Sequence, residues 1–433
     1  MYHFIGIKGA GMSALAQIMH SLGMDVQGSD VEKTFFTEKG LREKNIKILP
    51  FDENNIHEDL EIVKGNAFTE ENVEVKKSIE LGLKVNTYQE MVGKLTREFK
   101  TISVAGCHGK TTTTAMLSHI LDNIKGANYL IGDGTGHANK DNEYFVLEAC
   151  EYKRHFLEYR QKYGIITNIE LDHVDYFKDI EDVLLAYKSF CENVSDTVVA
   201  CGDDEYNRKL NINNILYYGL NESNDIVAKN IKYNSTGTTF DVYFKGVFLG
   251  TFEISLCGKH MLLNALAVLT ICYLEKIDLN KVKEHLLTFK GAKRRFSEEI
   301  IGDNVVIDDY AHHPTEVKVT IEAAKQKYPN KKIISVFQPH TYSRTKEFAT
   351  DLAEVLNTCD ASYIMKIHPS REKQEDFKGI TSDIIISKLK NGYNIGEDNA
   401  DVLLKYENAV IIFMSPNDIY KLENDYKEKR RNL

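Results

Sequence analysis

The sequence predicts an α/β protein of three domains: a Rossmann-like domain over residues 1–98, a central domain over 99–292 and a second Rossmann-like domain over 293–433. Three observations support this class. At 433 residues the chain is longer than most single domains. β-Branched strands alternate with helical patterns, as in parallel sheets. Two glycine-rich loops each follow a strand and open a helix, and the second predicts a P-loop ATPase-type parallel sheet in the central domain.

Composition excludes several classes of protein. The chain has 54 Lys and Arg against 64 Asp and Glu, a net charge of −10, which disfavours nucleic-acid binding. Its seven cysteines are scattered without a C-x-x-C pair, so they indicate neither a disulfide framework nor a zinc site. No apolar run has the length of a membrane span, and the N-terminal residues lack the pattern of a signal peptide. We therefore expect a cytoplasmic protein without nucleic-acid or membrane partners, as a monomer or weak homodimer.

The first glycine-rich loop follows a strand at residues 2–7 and reads Gly9-Ala-Gly-Met-Ser-Ala14. A helical pattern and a short strand near Val26 come next, and that strand ends in Ser29-Asp30. G-x-G-x-x-A in this setting is typical of dinucleotide binding, with the acidic residue on a ribose hydroxyl. The alternative interpretation is a tight turn with Asp30 as a helix cap.

The second loop follows a strand at 101–105 and reads Gly106-Cys-His-Gly-Lys-Thr-Thr-Thr113. Glycines before a helix direct backbone N–H groups and the positive helix end at phosphates. Lys110 would neutralise phosphate charge, and the hydroxyl of Thr111 could hold Mg²⁺. Val104 stands where the usual G-x-x-x-x-G-K-[ST] pattern has its first glycine, so the loop is a shortened variant.

Polar clusters follow the later strands of the central domain, where open α/β sheets assemble their ligand sites. The strand at 144–147 leads to Glu148 and Glu151, and the strand at 163–166 leads to His173. Carboxylate, imidazole and hydroxyl groups could together hold Mg²⁺, so Thr111, Glu151 and His173 are the candidates. Alternatively, His173 is a structural histidine and the glutamates are a solvated strand end. Residues 215–256 then alternate like hairpins and predict a small antiparallel sheet.

The third domain repeats the layout of strand and polar cluster. A strand at 305–307 leads into Asp308-Asp-Tyr-Ala-His-His-Pro314, and one at 333–337 leads into Gln338-Pro-His340. Further strands are expected near 363–367 and 410–414. This pattern predicts another mainly parallel sheet with a ligand site at its carboxyl edge.

Seven motifs then occur in a fixed order: G-C-H-G-K-T-T-T, E-A-C-E, T-N-I-E-L-D-H-x-D, G-K-H-x-x-x-N, R-R-F, D-D-Y-A-H-H-P and Q-P-H-x-Y-S-R-T. Together they resemble the Mur ligases of peptidoglycan synthesis, over nearly the whole chain. The chain departs from the family pattern at Cys150, Tyr152 and Lys153, at Met261, and at Thr341, where some relatives carry arginine. Glu151 and Asn264 are retained.

The resemblance implies ATP-driven amide formation between the lactyl carboxylate of UDP-N-acetylmuramate and the amine of L-alanine, through an acyl phosphate, with Mg²⁺. It also implies that the third domain closes on the central one, and that Arg344 pairs with the alanine carboxylate. The implied sites are ATP binding at Gly106, Cys107, His108, Gly109, Lys110, Thr111, Thr112, Asn264 and Arg295; metal binding at Thr111, Glu151 and His173; UDP-sugar binding at Gly9, Ala10, Gly11, Met12, Ser13, Ser29 and Asp30; amino-acid binding at Tyr310, His340 and Arg344; and catalysis by Lys110, His173, His312, His340 and Arg344.

Three other functions remain open from the sequence. A recycling ligase would attach a whole tripeptide to the same nucleotide sugar. An NAD(P)-dependent oxidoreductase would use the first loop, and a non-catalytic nucleotide-binding protein would lack turnover. Separately, the position of Cys107 near a helix N-terminus and Lys110 predicts a lowered thiol pKa and alkylation that ATP blocks; the alternative is an inert small residue that fits the turn.

Overall fold

Three β-sheets follow one another along the described part of the chain, one for each region of strand–helix alternation. The computed structural model describes residues 1–35, 37–370, 372–417 and 419–433. Helical connections between successive strands account for the parallel pairing that predominates in all three sheets.

The first sheet is parallel in every described strand pair. It contains β1 (Tyr2–Ile5), β2 (Val26–Ser29), β3 (Lys47–Leu49), β4 (Glu61–Lys64) and β5 (Val85–Thr87), with helices α1 (Ala10–Ser21), α2 (Glu38–Glu43), α3 (Val73–Glu80) and α4 (Tyr88–Leu95). The strand order is β3-β2-β1-β4-β5. Because β1 lies at the centre, the glycine loop after it opens at the carboxyl edge, next to the point where the strand order reverses.

The central sheet carries the second loop. It contains β6 (Lys100–Ala105), β7 (Ala127–Leu130), β8 (Gly136–His137), β9 (Tyr144–Glu148), β10 (Gln161–Ile166), β11 (Val194–Cys201), β12 (Ile215–Gly219), β13 (Ile226–Asn234), β14 (Gly237–Phe244) and β15 (Val247–Ile254), with helices α5 (Lys110–Lys125), α6 (Ile180–Glu192), α7 (Glu205–Arg208), α8 (Lys259–Leu274) and α9 (Leu279–Thr288). Its strand order is β15-β14-β13-β12-β11-β10-β6-β9-β7-β8. Buried Val104, Met116, Val146 and Leu266 join β6, α5, β9 and α8 in one core, which fixes the start of α5 at the end of β6.

The third sheet contains β16 (Ser297–Ile301), β17 (Asn304–Asp309), β18 (Lys332–Phe337), β19 (Ala361–Ile364), β20 (Gly392–Asn394) and β21 (Ala409–Met414), with helices α10 (Pro314–Lys327), α11 (Tyr342–Leu356), α12 (Asp383–Ile386) and α13 (Tyr420–Arg431). The order is β16-β17-β21-β18-β19-β20, and β16 is the antiparallel edge strand. Val305 and Ile307 belong to one buried cluster and Val306 to another. Alternate residues of β17 therefore face two different cores, one on each side of the sheet.

The first and central sheets share a continuous core, in which Phe4 and Leu15 lie in the same buried cluster as Phe145 and Leu147. Helix α1 also packs closely on β8. A Cβ atom at Gly136 would lie 2.2 Å from the carbonyl oxygen of Ala14, so no other residue fits without a shift of the backbone. The third sheet has its own clusters.

The structure confirms the predicted fold class. One detail differs: the predicted small antiparallel sheet is not separate. Strand β13 pairs parallel with β12 at Tyr218–Ile226 and antiparallel with β14, so the hairpins extend the parallel sheet. The boundaries at 98/99 and 292/293 remain predictions. Among the described residues, no helix is both long and apolar enough to cross a membrane.

Candidate active site

The second glycine loop connects β6 to α5 and is held by the end of the neighbouring strand β10. Gly106 has φ +134°, and a Cβ atom there would lie 1.9 Å from Thr167 Oγ1, so the position requires glycine. The Thr167 hydroxyl donates to the His108 carbonyl oxygen at 2.5 Å, and His108 N–H donates to Asn168 Oδ1 at 2.9 Å. These bonds fix the loop at the N-terminus of α5, where free N–H groups favour anions.

Lys110 lies in this loop and pairs with Glu151 at the end of β9. Its Nζ donates to Glu151 Oε1 at 3.1 Å and Oε2 at 2.9 Å, and to the Gly106 carbonyl oxygen at 2.5 Å. Burial by itself would lower the pKa of Lys110, but the Glu151 carboxylate outweighs burial and raises that pKa. A permanently charged ammonium therefore lies at the helix start, where it can meet a phosphate.

Glu151 and His173 form the predicted metal-binding group. His173 Nε2 lies 3.7 Å from Glu151 Oε1, and both residues and Thr111 line one cleft of about 230 Å³. Glu151 is only 2% exposed, yet it already holds one cation, the Lys110 ammonium. The Glu151 carboxylate, the Thr111 hydroxyl and water in the cleft are oxygen ligands of the kind that Mg²⁺ prefers, and the His173 imidazole lies beside them.

Arg344 connects the third domain to the central one through Asp172. Its Nη2 and Nε donate to Asp172 Oδ1 at 2.6 and 3.3 Å, and its Nη1 donates to His340 Nδ1 at 3.1 Å. Burial favours a raised pKa for Asp172, but the guanidinium of Arg344 overcomes it and holds the pKa well below its usual range. The guanidinium predicted to bind alanine is therefore inside the cleft and already engaged with a carboxylate.

Two residues of the cleft other than glycine have left-handed backbone. His173 has φ +50° and Thr341 has φ +64°. The second is a β-branched residue, for which this conformation is costly. Strain of this kind persists where the surrounding structure imposes it and is concentrated at functional sites.

Glu316 lies at the centre of the boundary between the two domains. Its carboxylate is 3.1 Å from His312 Nδ1, 3.4 Å from His108 Nδ1 and 3.5 Å from Arg295 Nη1. Burial raises its pKa, but His312, His108 and Arg295 together hold the pKa well below the usual range. Conversely, burial lowers the pKa of His108, whereas the carboxylates of Glu170 and Glu316 raise it to about 10.

His312 differs from His108 in charge. Burial lowers the pKa of His312 to about 4, against the opposing effect of Glu316. Its Nδ1 lies 3.0 Å from the Tyr310 carbonyl oxygen. Because a carbonyl only accepts, Nδ1 carries the proton and Nε2 keeps its lone pair. The ring is therefore a neutral base on the wall of the cleft.

A second cleft adjoins the first one. It is lined by Gly109, Thr112, Asn264 and Arg295, among others. Asn264 Nδ2 is buried and has no hydrogen-bond partner within the described residues. An unpaired buried amide donor is costly unless a ligand satisfies it, so the cleft suits a heterocycle with acceptor nitrogens.

The first glycine loop meets the same region through Ala10, which lines a third cleft of about 360 Å³ with Thr111, Glu148, Arg295 and Tyr310. The other predicted UDP-sugar residues have internal partners or close packing. Asp30 accepts from Lys8 N–H at 2.7 Å, Ser13 donates to the Thr37 carbonyl oxygen, and Ser29 donates to Glu74. Gly9 precedes α1, while Gly11 and the buried Met12 lie in its first turn.

The structure brings most of the predicted residues to one place. The first cleft is lined by Cys107, His108, Gly109, Lys110, Thr111, Glu151, His173, Arg295, Tyr310, His312, His340 and Arg344. Sequence reasoning missed Glu316, although a glutamate three residues after a helix cap is a capping-box signal; here the cap is His313, which the usual pattern does not include. It also missed Glu170 and assigned no role to Asp172.

The expectation of a lowered pKa for Cys107 is wrong. Burial raises the pKa of this thiol well above its usual value, and the carboxylate of Glu151 adds to the effect. Its Sγ lies 3.1 Å from the Glu170 carbonyl oxygen and 3.2 Å from Glu170 N, so the thiol packs inside the loop. Desolvation outweighs the helix N-terminus and Lys110.

Three sequence profiles of one family match successive parts of the chain. The Mur ligase family catalytic domain matches residues 1–100, the Mur ligase middle domain matches 104–272, and the Mur ligase glutamate ligase domain matches 294–417. The three matched segments follow the order of the three sheets.

Solved structures agree in fold. A UDP-N-acetylmuramate–alanine ligase from Thermotoga maritima is 27% identical, with a TM-score of 0.82 over 100% of this chain and 99% of that chain. A UDP-N-acetylmuramate:L-alanyl-gamma-D-glutamyl-meso-diaminopimelate ligase from Neisseria meningitides is 26% identical, with a TM-score of 0.60 over 68% of this chain and 99% of that one. The MurF ligase of Thermotoga maritima in complex with ADP is 19% identical (TM-score 0.67, 88% and 97% covered), a likeness of fold alone.

The matched domains, together with a cleft that joins a phosphate loop to buried carboxylates and imidazoles, have one consistent interpretation: the chain belongs to the Mur ligase family, the ATP-dependent ligases of cell-wall synthesis.

Proposed function

We propose that this protein joins L-alanine to the lactyl carboxylate of UDP-N-acetylmuramate, with ATP cleaved to ADP and phosphate. The observation that carries the proposal is the single cleft that joins Lys110, Glu151 and His173 to His312, His340 and Arg344. The 27% identity with the alanine ligase of Thermotoga maritima, over all of this chain, supports it.

The chemical demand is to bring two anions together. The lactyl carboxylate attacks the γ-phosphorus of ATP, the bond to ADP breaks, and an acyl phosphate forms. Lys110 is placed to neutralise the phosphates, with the backbone N–H groups at the start of α5. Thr111, Glu151 and His173 would hold Mg²⁺, whose chemistry when bound is to offset the remaining phosphate charge. For Glu151 to do so, Lys110 must turn from the carboxylate to the phosphates.

The second step joins the amino acid to the acyl phosphate. The amine of alanine attacks the acyl carbonyl, and phosphate leaves from the tetrahedral intermediate. His312 would accept at Nε2 the proton that the attacking amine loses, once the anionic acyl phosphate beside it raises the pKa of the ring, while its Nδ1–H stays on the Tyr310 carbonyl oxygen. His340 and Tyr310 line the same wall of the cleft. The guanidinium of Arg344 would bind the alanine carboxylate while it keeps part of its hydrogen bonding to Asp172.

ATP and the nucleotide sugar would lie on opposite sides of this centre. The purine would lie against Asn264, whose amide donor has no protein partner, and Arg295 would reach the phosphates from the third domain. The UDP-sugar would extend from the cleft at Ala10 toward the Gly9–Ser13 loop and Ser29-Asp30.

A second candidate is the ligase that attaches a tripeptide to the same nucleotide sugar, because a ligase of that kind is 26% identical over 68% of this chain. The 27% identity with the alanine ligase extends over all of this chain, which favours the first candidate. The oxidoreductase alternative leaves the Lys110–Glu151 pair unexplained, and the retained charged groups oppose a non-catalytic role.

The test is an ADP-release assay with UDP-N-acetylmuramate and either L-alanine or L-alanyl-γ-D-glutamyl-meso-diaminopimelate. We expect release only when nucleotide sugar and L-alanine are both present. A preference for the tripeptide would support the second candidate. ADP release that depends on neither the nucleotide sugar nor the amine substrate would contradict ligation by this protein.

A further inference from the structure

A second group of potential metal ligands, which includes one residue of the phosphate loop, spans the boundary between the central and third domains. It consists of His108, Glu170 and His313, and one ligand atom from each lies within 4.8 Å of the others. This group is separate from Glu151 and His173. We propose that His108, Glu170 and His313 form a binding site for a transition-metal cation such as Zn²⁺, which bridges the two domains.

The spacing suits a metal better than hydrogen bonds. His108 Nε2 lies 3.4 Å and His313 Nδ1 lies 3.6 Å from Glu170 Oε2. Good N–H···O bonds are about 2.7–3.2 Å long. In contrast, zinc bonds of about 2.0–2.2 Å place the corners of a tetrahedron about 3.3–3.6 Å apart. The two observed distances match the edges of such a tetrahedron, whose fourth corner would be left for water.

Both rings are buried and poorly satisfied. His108 is 8% exposed and His313 4% exposed. Neither nitrogen of His108, nor Nε2 of His313, has a hydrogen-bond partner within the described residues. The two rings instead pack on one another, with centroids 4.5 Å apart. The polar contacts that remain are long: His108 lies 3.4 Å from the carboxylates of Glu170 and Glu316, and His313 Nδ1 accepts from Thr315 N–H at 3.3 Å. A cation among these groups would give both rings a closer partner.

The surrounding residues also match a metal site. Glu316 Oε1 lies 3.4 Å from His108 Nδ1, on the side of the ring away from Glu170, so it would accept the Nδ1 proton and turn Nε2 toward the metal. Thr315 Oγ1 donates to Glu170 Oε2 at 2.8 Å and orients that carboxylate. Two imidazoles and one carboxylate favour zinc and related metals over Mg²⁺, which prefers oxygen ligands. On binding, the metal replaces the proton on His108 Nε2, and that proton passes to solvent.

The ligands come from both domains, which gives the site a consequence for turnover. His108 and Glu170 belong to the central domain, and His313 begins α10 of the third. All three residues can hold one cation only when the two domains are packed together. Zinc would therefore hold the closed arrangement and slow the opening on which product release depends.

The test is a titration of the metal-free full-length protein with Co²⁺, followed by its visible absorption, in an excess of Mg²⁺. Competition by Zn²⁺ then gives the zinc affinity. We expect one site in the unaltered protein. His313→Asn preserves a helix-capping side chain but removes the imidazole, and Glu170→Gln preserves the acceptor for Thr315. Each should weaken binding by at least about tenfold, since even residues outside the ligand set contribute about 10–100-fold.

His173→Gln is the matched control, because it alters the proposed Mg²⁺ site and leaves this one intact. Unchanged binding in His313→Asn, loss of binding in His173→Gln alone, or no binding by the unaltered protein would each overturn the proposal. A thiolate absorption band would do so as well, since it would mean that a cysteine holds the metal. These readouts do not depend on the proposed function.

The consequence for turnover rests on the proposed function and is measured separately. The ratio of ADP-release rates without and with Zn²⁺ should exceed one in the unaltered protein and approach one in His313→Asn. Equal ratios in the two proteins would refute the bridging effect. A protein without any ADP release would refute the proposed function and leave the binding result intact.

Discussion

Replacement of Glu316 by glutamine tests the charge balance between the two domains. The substitution keeps the shape of the side chain and an acceptor for the N–H groups of His312 and His313, but removes the negative charge near His108. The pKa of His108, about 10, lies about 3.5 units above the ordinary value of about 6.5. At about 1.36 kcal/mol per unit, the protonated ring is favoured by roughly 5 kcal/mol.

Two carboxylates share this effect. Glu170 and Glu316 each lie 3.4 Å from a ring nitrogen of His108, so we assign about half to each. The ring is buried, so solvent screens the interaction little. Burial opposes the carboxylates and remains in the variant, so Glu316→Gln should lower the pKa of His108 by at least about 2 units, which corresponds to a loss of at least about 2–3 kcal/mol.

The direction in which pH changes the stability of the folded protein follows from the linkage between protonation and folding. Because the pKa of His108 is raised in the folded protein, its stabilisation is complete below about pH 6.5 and is lost as pH rises toward 10. In the variant the loss should end at a lower pH, because the pKa of His108 in the folded protein is lower. The assay is an NMR titration of histidine ring protons in the metal-free protein. Glu322→Gln, exposed on the same helix, is the control. A midpoint near 6.5 in the unaltered protein, or one unchanged by Glu316→Gln, would refute the reasoning.

Three further predictions concern the phosphate loop and the cleft at Asn264. Lys110→Ala should lower the rate of ADP release at least about 100-fold, because it removes the cation that meets the phosphates; a rate equal to that of the unaltered protein would refute its role. Asn264→Ala should raise KM for ATP and change kcat little, as expected for loss of uniform binding, and steady-state kinetics that show the reverse would exclude a purine contact. Gly106→Ala should destabilise the protein by more than about 2 kcal/mol in urea, through a clash with Thr167 and a strained φ, whereas Gly396→Ala, with no close neighbour, should change stability by less than about 1 kcal/mol.

Much of the site could be predicted because its residues follow strands. Lys110, Glu151 and His173 each come shortly after a strand of one parallel sheet, and parallel strands direct their carboxyl ends to the same edge. The local sequence pattern therefore predicted that these residues lie close together. It could not predict which of them pair, because the contact of Lys110 Nζ with both carboxylate oxygens of Glu151 depends on side-chain packing.

The residues at the domain boundary were beyond local patterns. Asp172 and Arg344 are separated by 172 positions, and nothing near either one indicates the other. Glu316 completes a helix cap that begins with a histidine, and the usual capping pattern does not include histidine. The expectation for Cys107 failed for a related reason, because the helix N-terminus is visible in the sequence but the degree of burial is not. The merging of the hairpins with the parallel sheet likewise depends on the short pairing of β12 with β13.

The core shared by the first two sheets has a consequence for how the chain loses its structure. Since Phe4 and Leu15 pack in the same cluster as Phe145 and Leu147, neither sheet can melt without exposing the core of the other. The third sheet, with cores of its own, is joined to them mainly through polar and charged groups such as Asp172–Arg344. Calorimetry should therefore resolve two cooperative transitions, and any ligand that bridges the boundary should draw them together.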